Sequence, residues 1–214
     1  MARLKTAVLI SGRGSNLQAL AASCAAPGFP AEIALVISNQ ANAAGLEHAA
    51  KAGIPAKVVP HRDFKTREEF EAALDKILRA AGIELVCLAG FMRVLTSHFV
   101  DAWRGKLINI HPSLLPDFPG LDTHRRALEA HKRVAGCSVH FVIADVDAGP
   151  LIVQAVVPVL PGDDEAKLAA RVLEAEHQAY PLALRLIAER RVRLAGNRVE
   201  IDGKPGPLRL DPAA

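Results

Sequence analysis

Asn109 and His111 stand two positions apart at the end of the apolar run Leu107-Ile108-Asn109-Ile110-His111. On a strand, side chains two apart share a face. An amide and an imidazole side by side can polarise one carbonyl: the amide donates to a developing oxyanion, and the imidazolium donates or releases a proton. The same pair also fits a histidine that simply closes a loop by bonding a backbone carbonyl. Asp147, in Asp145-Val146-Asp147-Ala148-Gly149-Pro150, adds a carboxylate in a stiff turn. Paired with His111, it would raise the imidazole pKa and orient the ring. Ser138 and His140 repeat the spacing on the preceding strand. They read either as polar support for a site or as a solvated strand face.

A second candidate lies near the N-terminus. Ser11-Gly12-Arg13-Gly14-Ser15-Asn16 follows a strand and opens a helix. Two glycines let backbone amides crowd around an anion, and the helix N-terminus adds oriented N–H groups. The spacing is neither a dinucleotide fingerprint, since Leu17 takes the third glycine position, nor a P-loop. A tight βα turn capped by Ser15 or Asn16 fits as well. Glu176 falls at the edge of a helical apolar stripe, where it would bind sugar hydroxyls or pair with Arg171 or His177. Arg67 and Arg93 sit where an acidic ligand or solvent would meet them.

Other chemistries find less support. The eight histidines form no His-x-x-x-His, and the three cysteines, Cys24, Cys87 and Cys137, form no Cys-x-x-Cys. No metal site is expected, and His124 and His131 read as surface residues. Ser113 lies in a proline loop without the Gly-x-Ser-x-Gly elbow of a serine nucleophile.

The elements that must position these residues follow from alternation of short apolar runs with amphipathic stretches. Strands are expected at 6–10, 32–37, 56–59, 85–89 and 107–110, and helices at 16–26, 43–52, 66–81 and 97–103. A proline loop, a short helix at 123–131 and strands at 135–143 and 151–159 follow. A last helix, 164–191, buries Leu168, Val172, Ala175, Ala179, Leu182 and Leu186 and kinks at Pro181. The tail from residue 191 reads as a weak hairpin at Gly196-Asn197 and a loose end. Runs apolar on both faces suit strands between two helix layers. The fold class is α/β: a Rossmann-like open, mostly parallel twisted sheet with helices on both faces and a mixed C-terminal part, in one domain over 1–214.

Composition narrows the function. Of the 214 residues, 50% are hydrophobic and 23% charged, with net charge +3, an ordinary globular balance that gives no reason for non-specific nucleic-acid binding. No apolar run reaches the roughly 18 residues of a membrane helix, and the N-terminal run is too short for a signal peptide. An odd number of scattered cysteines suits reduced thiols and a cytoplasmic setting.

Taken together, Ser11-Gly12-x-Gly14-Ser15-Asn16, Leu88-Ala89-Gly90-Phe91-Met92-Arg93, Asn109-Ile110-His111-Pro112-Ser113-Leu114-Leu115-Pro116 and Asp145-x-Asp147-x-Gly149-Pro150 resemble the phosphoribosylglycinamide formyltransferase family, collinearly from about residue 7 to 181. The resemblance implies transfer of the formyl group of 10-formyltetrahydrofolate, a co-substrate, to the amine of glycinamide ribonucleotide, without a metal. It implies Asn109, His111 and Asp147 as the catalytic set, and Gly14, Ser15, Asn16 and Glu176 on phosphate and ribose. Folate is implied at Arg67, at Met92, Arg93, Val94 and Leu95, at Asn109, and at Ala144, Asp145, Val146, Asp147, Ala148 and Gly149. Partners are then small molecules, with no nucleic acid and no membrane, in a monomer or homodimer. Arg13 and Asp117-Phe118 depart from the family pattern outside the catalytic set.

Two related families share the central residues. Methionyl-tRNA formyltransferase carries a further C-terminal domain, for which 214 residues leave no room. Formyltetrahydrofolate deformylase carries an N-terminal regulatory domain, which is not expected ahead of a first strand at residue 6. A non-enzymatic nucleotide-binding module would need only the Gly12–Asn16 loop.

Overall fold

The computed structural model describes residues 2–211. Its chain forms two compact units that divide after Asn109. The first holds β1 (Leu4–Ile10), α1 (Ser15–Ala25), β2 (Ala31–Ser38), α2 (Gly45–Lys51), β3 (Ala56–Val58), α3 (Arg67–Ala80), β4 (Leu85–Leu88), α4 (Ser97–Ala102) and most of β5 (Leu107–His111). All its strand pairs are parallel, in the order β5-β4-β1-β2-β3. Right-handed crossovers put α1 and α2 on one face of this order and α3 and α4 on the other. The order reverses between β1 and β4, where parallel sheets open a crevice at strand carboxyl ends.

The double-sided apolar runs have their expected consequence. Ala7 to Ile10 are wholly buried, as are Val86 and Cys87. Thr66 caps α3 by accepting from Glu69 N–H at 3.2 Å, and Phe70, Leu74 and Leu78 form that helix's buried stripe. His61–Asp63, between β3 and α3, winds into a single 3₁₀ turn.

In the second unit, α5 (Thr123–Glu129) precedes β6 (Val134–Phe141) and β7 (Leu151–Pro158), which pair antiparallel. The long α6 (Glu165–Ala188) packs on both strands. Asp164 caps it by accepting from Lys167 N–H at 2.8 Å. The helix continues through Pro181, and its buried stripe runs on to Leu186; Ala183 and Leu184 are buried as well, whereas Leu182, expected in the stripe, is half-exposed.

The hairpin expected at Gly196-Asn197 is present as β8 (Val192–Ala195) and β9 (Arg198–Ile201), extended by β10 (Lys204–Pro205). The residues after it are not a loose end. β11 (Leu208–Leu210) adds a parallel edge strand to β7, so the chain returns to satisfy backbone groups that an open edge would leave unpaired. Residues 212–214 of that expectation lie outside the described residues.

Candidate active site

The first unit carries two loops of interest, one from the end of β1 and one from the end of β4. After β1 the backbone turns at Gly14, with φ +76°, and α1 starts at Ser15 with no side-chain hydrogen bond on its N-cap. Neither Ser15 nor Asn16 acts as the cap. A Cβ on Gly14 would meet Gly45 Cα at 2.5 Å. Gly45 N–H donates to Gly12 O at 3.0 Å. The glycines thus serve a left-handed turn pressed against α2 at the N-terminus of α1, which no side chain caps. Asn16 is buried and Ser15 half-buried. Arg13 is exposed.

After β4, residues 89–96 run without helix or strand. Met92 is 67% and Val94 55% exposed, while Leu95 is buried and Arg93 half-exposed. Arg67 is exposed at the first position of α3. Asn109, on β5, is half-buried.

The second unit gathers side chains instead. Asp147 Oδ2 lies 3.3 Å from His111 Nδ1 and accepts from Gly120 N–H at 2.9 Å. Its Oδ1 lies 3.7 Å from His140 Nε2. Each imidazole uses its other nitrogen on a backbone carbonyl: His111 Nε2 on Phe118 O and His140 Nδ1 on Phe141 O, both at 2.9 Å. A carbonyl only accepts, so those nitrogens carry hydrogens, and the nitrogen facing Asp147 gains one only when its ring is protonated.

The carboxylate was expected to raise the His111 pKa. It does act in that direction, but the net shift is downward. Burial lowers it, and this outweighs the Phe118 carbonyl and the Asp147 charge, while His140 and Arg126 lower it further. For Asp147, burial alone would raise the pKa. The hydrogen bonds from His140 and the Gly120 amide, with both imidazoles' charge, hold it below the usual carboxylate range. The pair therefore rests as a neutral imidazole beside a carboxylate, with a place for one proton between them.

Backbone geometry presents Asp147. The residue itself has φ +54°, and a Cβ on Gly149 would lie 1.7 Å from Phe141 O. That clash explains the glycine: the turn closes flush on β6. Ala144, Asp145, Val146 and Ala148 are exposed around it.

Ser138 and His140 are 0% and 2% exposed, so the polar side of β6 is not a solvated face. Ser138 Oγ donates to Ser113 O at 2.7 Å and accepts from Leu115 N–H at 3.0 Å. Gln154 Nε2 donates to Ser138 Oγ and to Leu115 O, both at 2.9 Å. This buried knot holds the proline loop that leaves His111. Sequence reasoning missed Gln154 here, although a lone polar residue in the apolar run of β7 was its signal.

Glu176 is 8% exposed, deeper than a boundary residue. Its charge, after burial, helps push the Cys137 thiol up. Arg171 pairs with Asp163 at 2.7 Å, not with Glu176. His124, expected at the surface, is half-buried with Nε2 lacking a hydrogen-bond partner, and it lines a cavity of about 80 Å³. All three cysteines are buried and outside any disulfide. Among the described residues no group of three or more His, Cys, Asp or Glu is arranged to hold a metal, and no helix is long and apolar enough to cross a membrane.

Known proteins are similar to this chain in sequence and fold. The trifunctional purine biosynthetic protein adenosine-3 of Drosophila pseudoobscura pseudoobscura is 56% identical over 193 residues, 89% of this chain but 14% of its own length. The chain thus spans a small part of that relative. Phosphoribosylglycinamide formyltransferase of Haemophilus influenzae is 44% identical over 203 residues, 95% of this chain and 96% of its own. The structure of phosphoribosylglycinamide formyltransferase (purN) in complex with CHES from Coxiella burnetii matches at TM-score 0.93 and 44% identity, covering 97% of this chain and 99% of that one. The formyl transferase family matches residues 4–184, from β1 into α6 and through both units, so the chain belongs to the formyl transferase family.

Proposed function

We propose that the chain transfers the formyl group of 10-formyltetrahydrofolate to the amine of glycinamide ribonucleotide, giving formylglycinamide ribonucleotide and tetrahydrofolate. The observation that carries this reading is the buried His111–Asp147 pair, 3.3 Å apart, on a motif of a family that moves formyl groups. The ribonucleotide phosphate binds the uncapped amides at Gly14, Ser15 and Asn16, and Glu176 takes the ribose. The folate uses Arg67, Met92–Leu95, Asn109 and the 144–149 turn. The partners are these small molecules, the setting is cytoplasmic, and residues 1–214 act as one formyltransferase domain.

The amine attacks the formyl carbon, and the carbonyl becomes a tetrahedral oxyanion. Asn109 donates to that oxyanion from the amide, and His111 from Nε2–H once the oxyanion replaces the Phe118 carbonyl. Positioning supplies much of the acceleration. The attacking amine must lose a proton and the folate nitrogen must gain one as the C–N bond breaks. Asp147 carries that proton through water, and His111 Nδ1 is its neighbouring station. No step requires a metal or a covalent enzyme intermediate.

The test is tetrahydrofolate appearance from 10-formyltetrahydrofolate, with and without glycinamide ribonucleotide. Product formed only with the ribonucleotide supports the reading. Release of formate without it makes the chain a deformylase, and formyl transfer to methionyl-tRNA would assign the other relative. No release in any case leaves a binding module.

A further inference from the structure

Ser11 is the first residue after β1, on one side of the point where the strand order reverses. Beyond the strand ends a side chain bridges that point: Met92 N–H, 81 residues further along the chain, donates to Ser11 Oγ at 2.8 Å. Ser11 in turn donates to Asn39 Oδ1 at 2.6 Å. A hydroxyl has one hydrogen to give, so Asn39 takes it and fixes a lone pair toward Met92. Asn39 is itself held: it is 2% exposed, its Nδ2 lies 3.2 Å from His61 Nδ1, and its backbone N–H reaches Ile10 O.

The other end of the segment is anchored as well. Thr96 N–H donates to Glu71 Oε1 at 2.8 Å, and its hydroxyl bonds Glu71 Oε2. Glu71 is 4% exposed. Between these anchors, residues 92–95 carry the exposed Met92 and Val94. Apolar side chains held outward on irregular backbone ordinarily cost a ligand the entropy of ordering them. Anchors at both ends remove that cost before binding.

We propose that Ser11 is a positioning residue for the folate, acting through the Met92 amide: its hydroxyl pre-orders residues 92–95 from the loop that holds the phosphate. This rests on the formyl-transfer reading above. Ser11→Ala removes the acceptor, and the Met92 amide turns to solvent. Ser11→Thr keeps a hydroxyl in the same place.

The experiment compares the native protein with both variants in three measurements: amide hydrogen exchange at Met92, steady-state kinetics, and tetrahydrofolate binding by calorimetry. For Ser11→Ala, exchange at Met92 accelerates, and KM for 10-formyltetrahydrofolate rises roughly five- to tenfold, the equivalent of one ordinary hydrogen bond. Tetrahydrofolate Kd weakens in parallel, kcat stays within about twofold, and Ser11→Thr restores both constants. Faster exchange with unchanged folate KM overturns the proposal. So does equal weakening of ribonucleotide and folate together with a lower Tm, which makes Ser11 a general structural residue. If the native protein binds no tetrahydrofolate while Ser11→Ala still frees the Met92 amide, the formyl-transfer reading fails and the anchor stands.

Discussion

The loop after β1 and the turn around Asp147 are built from opposite materials. The first is backbone: glycines at 12, 14 and 45, a left-handed turn, and helix amides without a side-chain cap. The second is side chains: a carboxylate between two imidazoles, each locked by a carbonyl. Backbone donors are fixed in charge and direction, which suits holding a permanent anion. Buried titratable groups change charge with their surroundings, which suits moving a proton. On the proposed function, anion holding falls to the first region and proton transfer to the second, and mutations should separate KM for the ribonucleotide from kcat along that line.

The largest effect is expected at Asp147. Asp147→Asn keeps the size and the backbone but removes the carboxylate that serves both imidazoles and the Gly120 amide. Turnover should fall by about 10²- to 10⁴-fold, the range of a lost general acid–base group, with KM for both substrates within about threefold. Comparable losses in folate affinity would instead make Asp147 a loop-shaping residue.

Gly14→Ala tests the other region. The new Cβ meets Gly45 Cα at 2.5 Å, and φ is +76°, so the turn must shift. A left-handed alanine alone costs roughly 1–2 kcal/mol. KM for glycinamide ribonucleotide should rise about tenfold or more, while KM for the folate moves much less. A kcat loss as large as that of Asp147→Asn would erase the distinction between the two regions.

The contrast also explains what was legible in the sequence. Strands apolar on both faces, such as Ala7–Ile10, announce themselves because burial between helix layers tolerates few polar side chains. His111 and Asp147 were legible as a pair because chemistry restricts residue type. The direction of the His111 pKa was not, because it depends on how deeply the ring is buried, which no spacing records. The same holds for Ser138 and His140, whose alternation fitted a wet face and a dry one equally. The tail failed for another reason: β11 is three residues long and gains its partner, β7, across some fifty residues of chain, so no local pattern marks it.

A smaller effect follows from the depressed imidazoles. His111, His124 and His177 all lie below the ordinary histidine value, burial being the first cause in each. Such groups bind protons more readily once unfolded. Their stability contribution is complete above about pH 6.5, the unfolded value, and is lost as pH falls through the folded values. The urea midpoint should therefore be lower near pH 5.5 than near pH 7.5. His124→Gln should flatten part of that slope, because its Nε2 is buried without a partner. A midpoint flat across this range, or rising as pH falls, would contradict the assignment of burial as the dominant cause.

The smallest effect belongs to Asp117, on the loop between His111 and Asp147's partner Gly120. Asp117 pairs with Lys132 at 2.7 Å, but the two side chains are 51% and 41% exposed. Lys132 and Arg126 also lie over the Phe118 ring at 5.6 and 5.3 Å, so the loop keeps cationic contacts when the ion pair is lost. A surface pair of this kind contributes about 0–1 kcal/mol. Asp117→Asn should shift the urea midpoint barely, and less still in high salt. Its kcat should stay within about twofold, because the Phe118 carbonyl that holds His111 is fixed by backbone and by Ser113 Oγ on Asp117 O at 2.6 Å, not by the carboxylate. A tenfold loss in kcat would show that surface charge, and not the buried knot of Ser113, Ser138 and Gln154, sets the position of that loop.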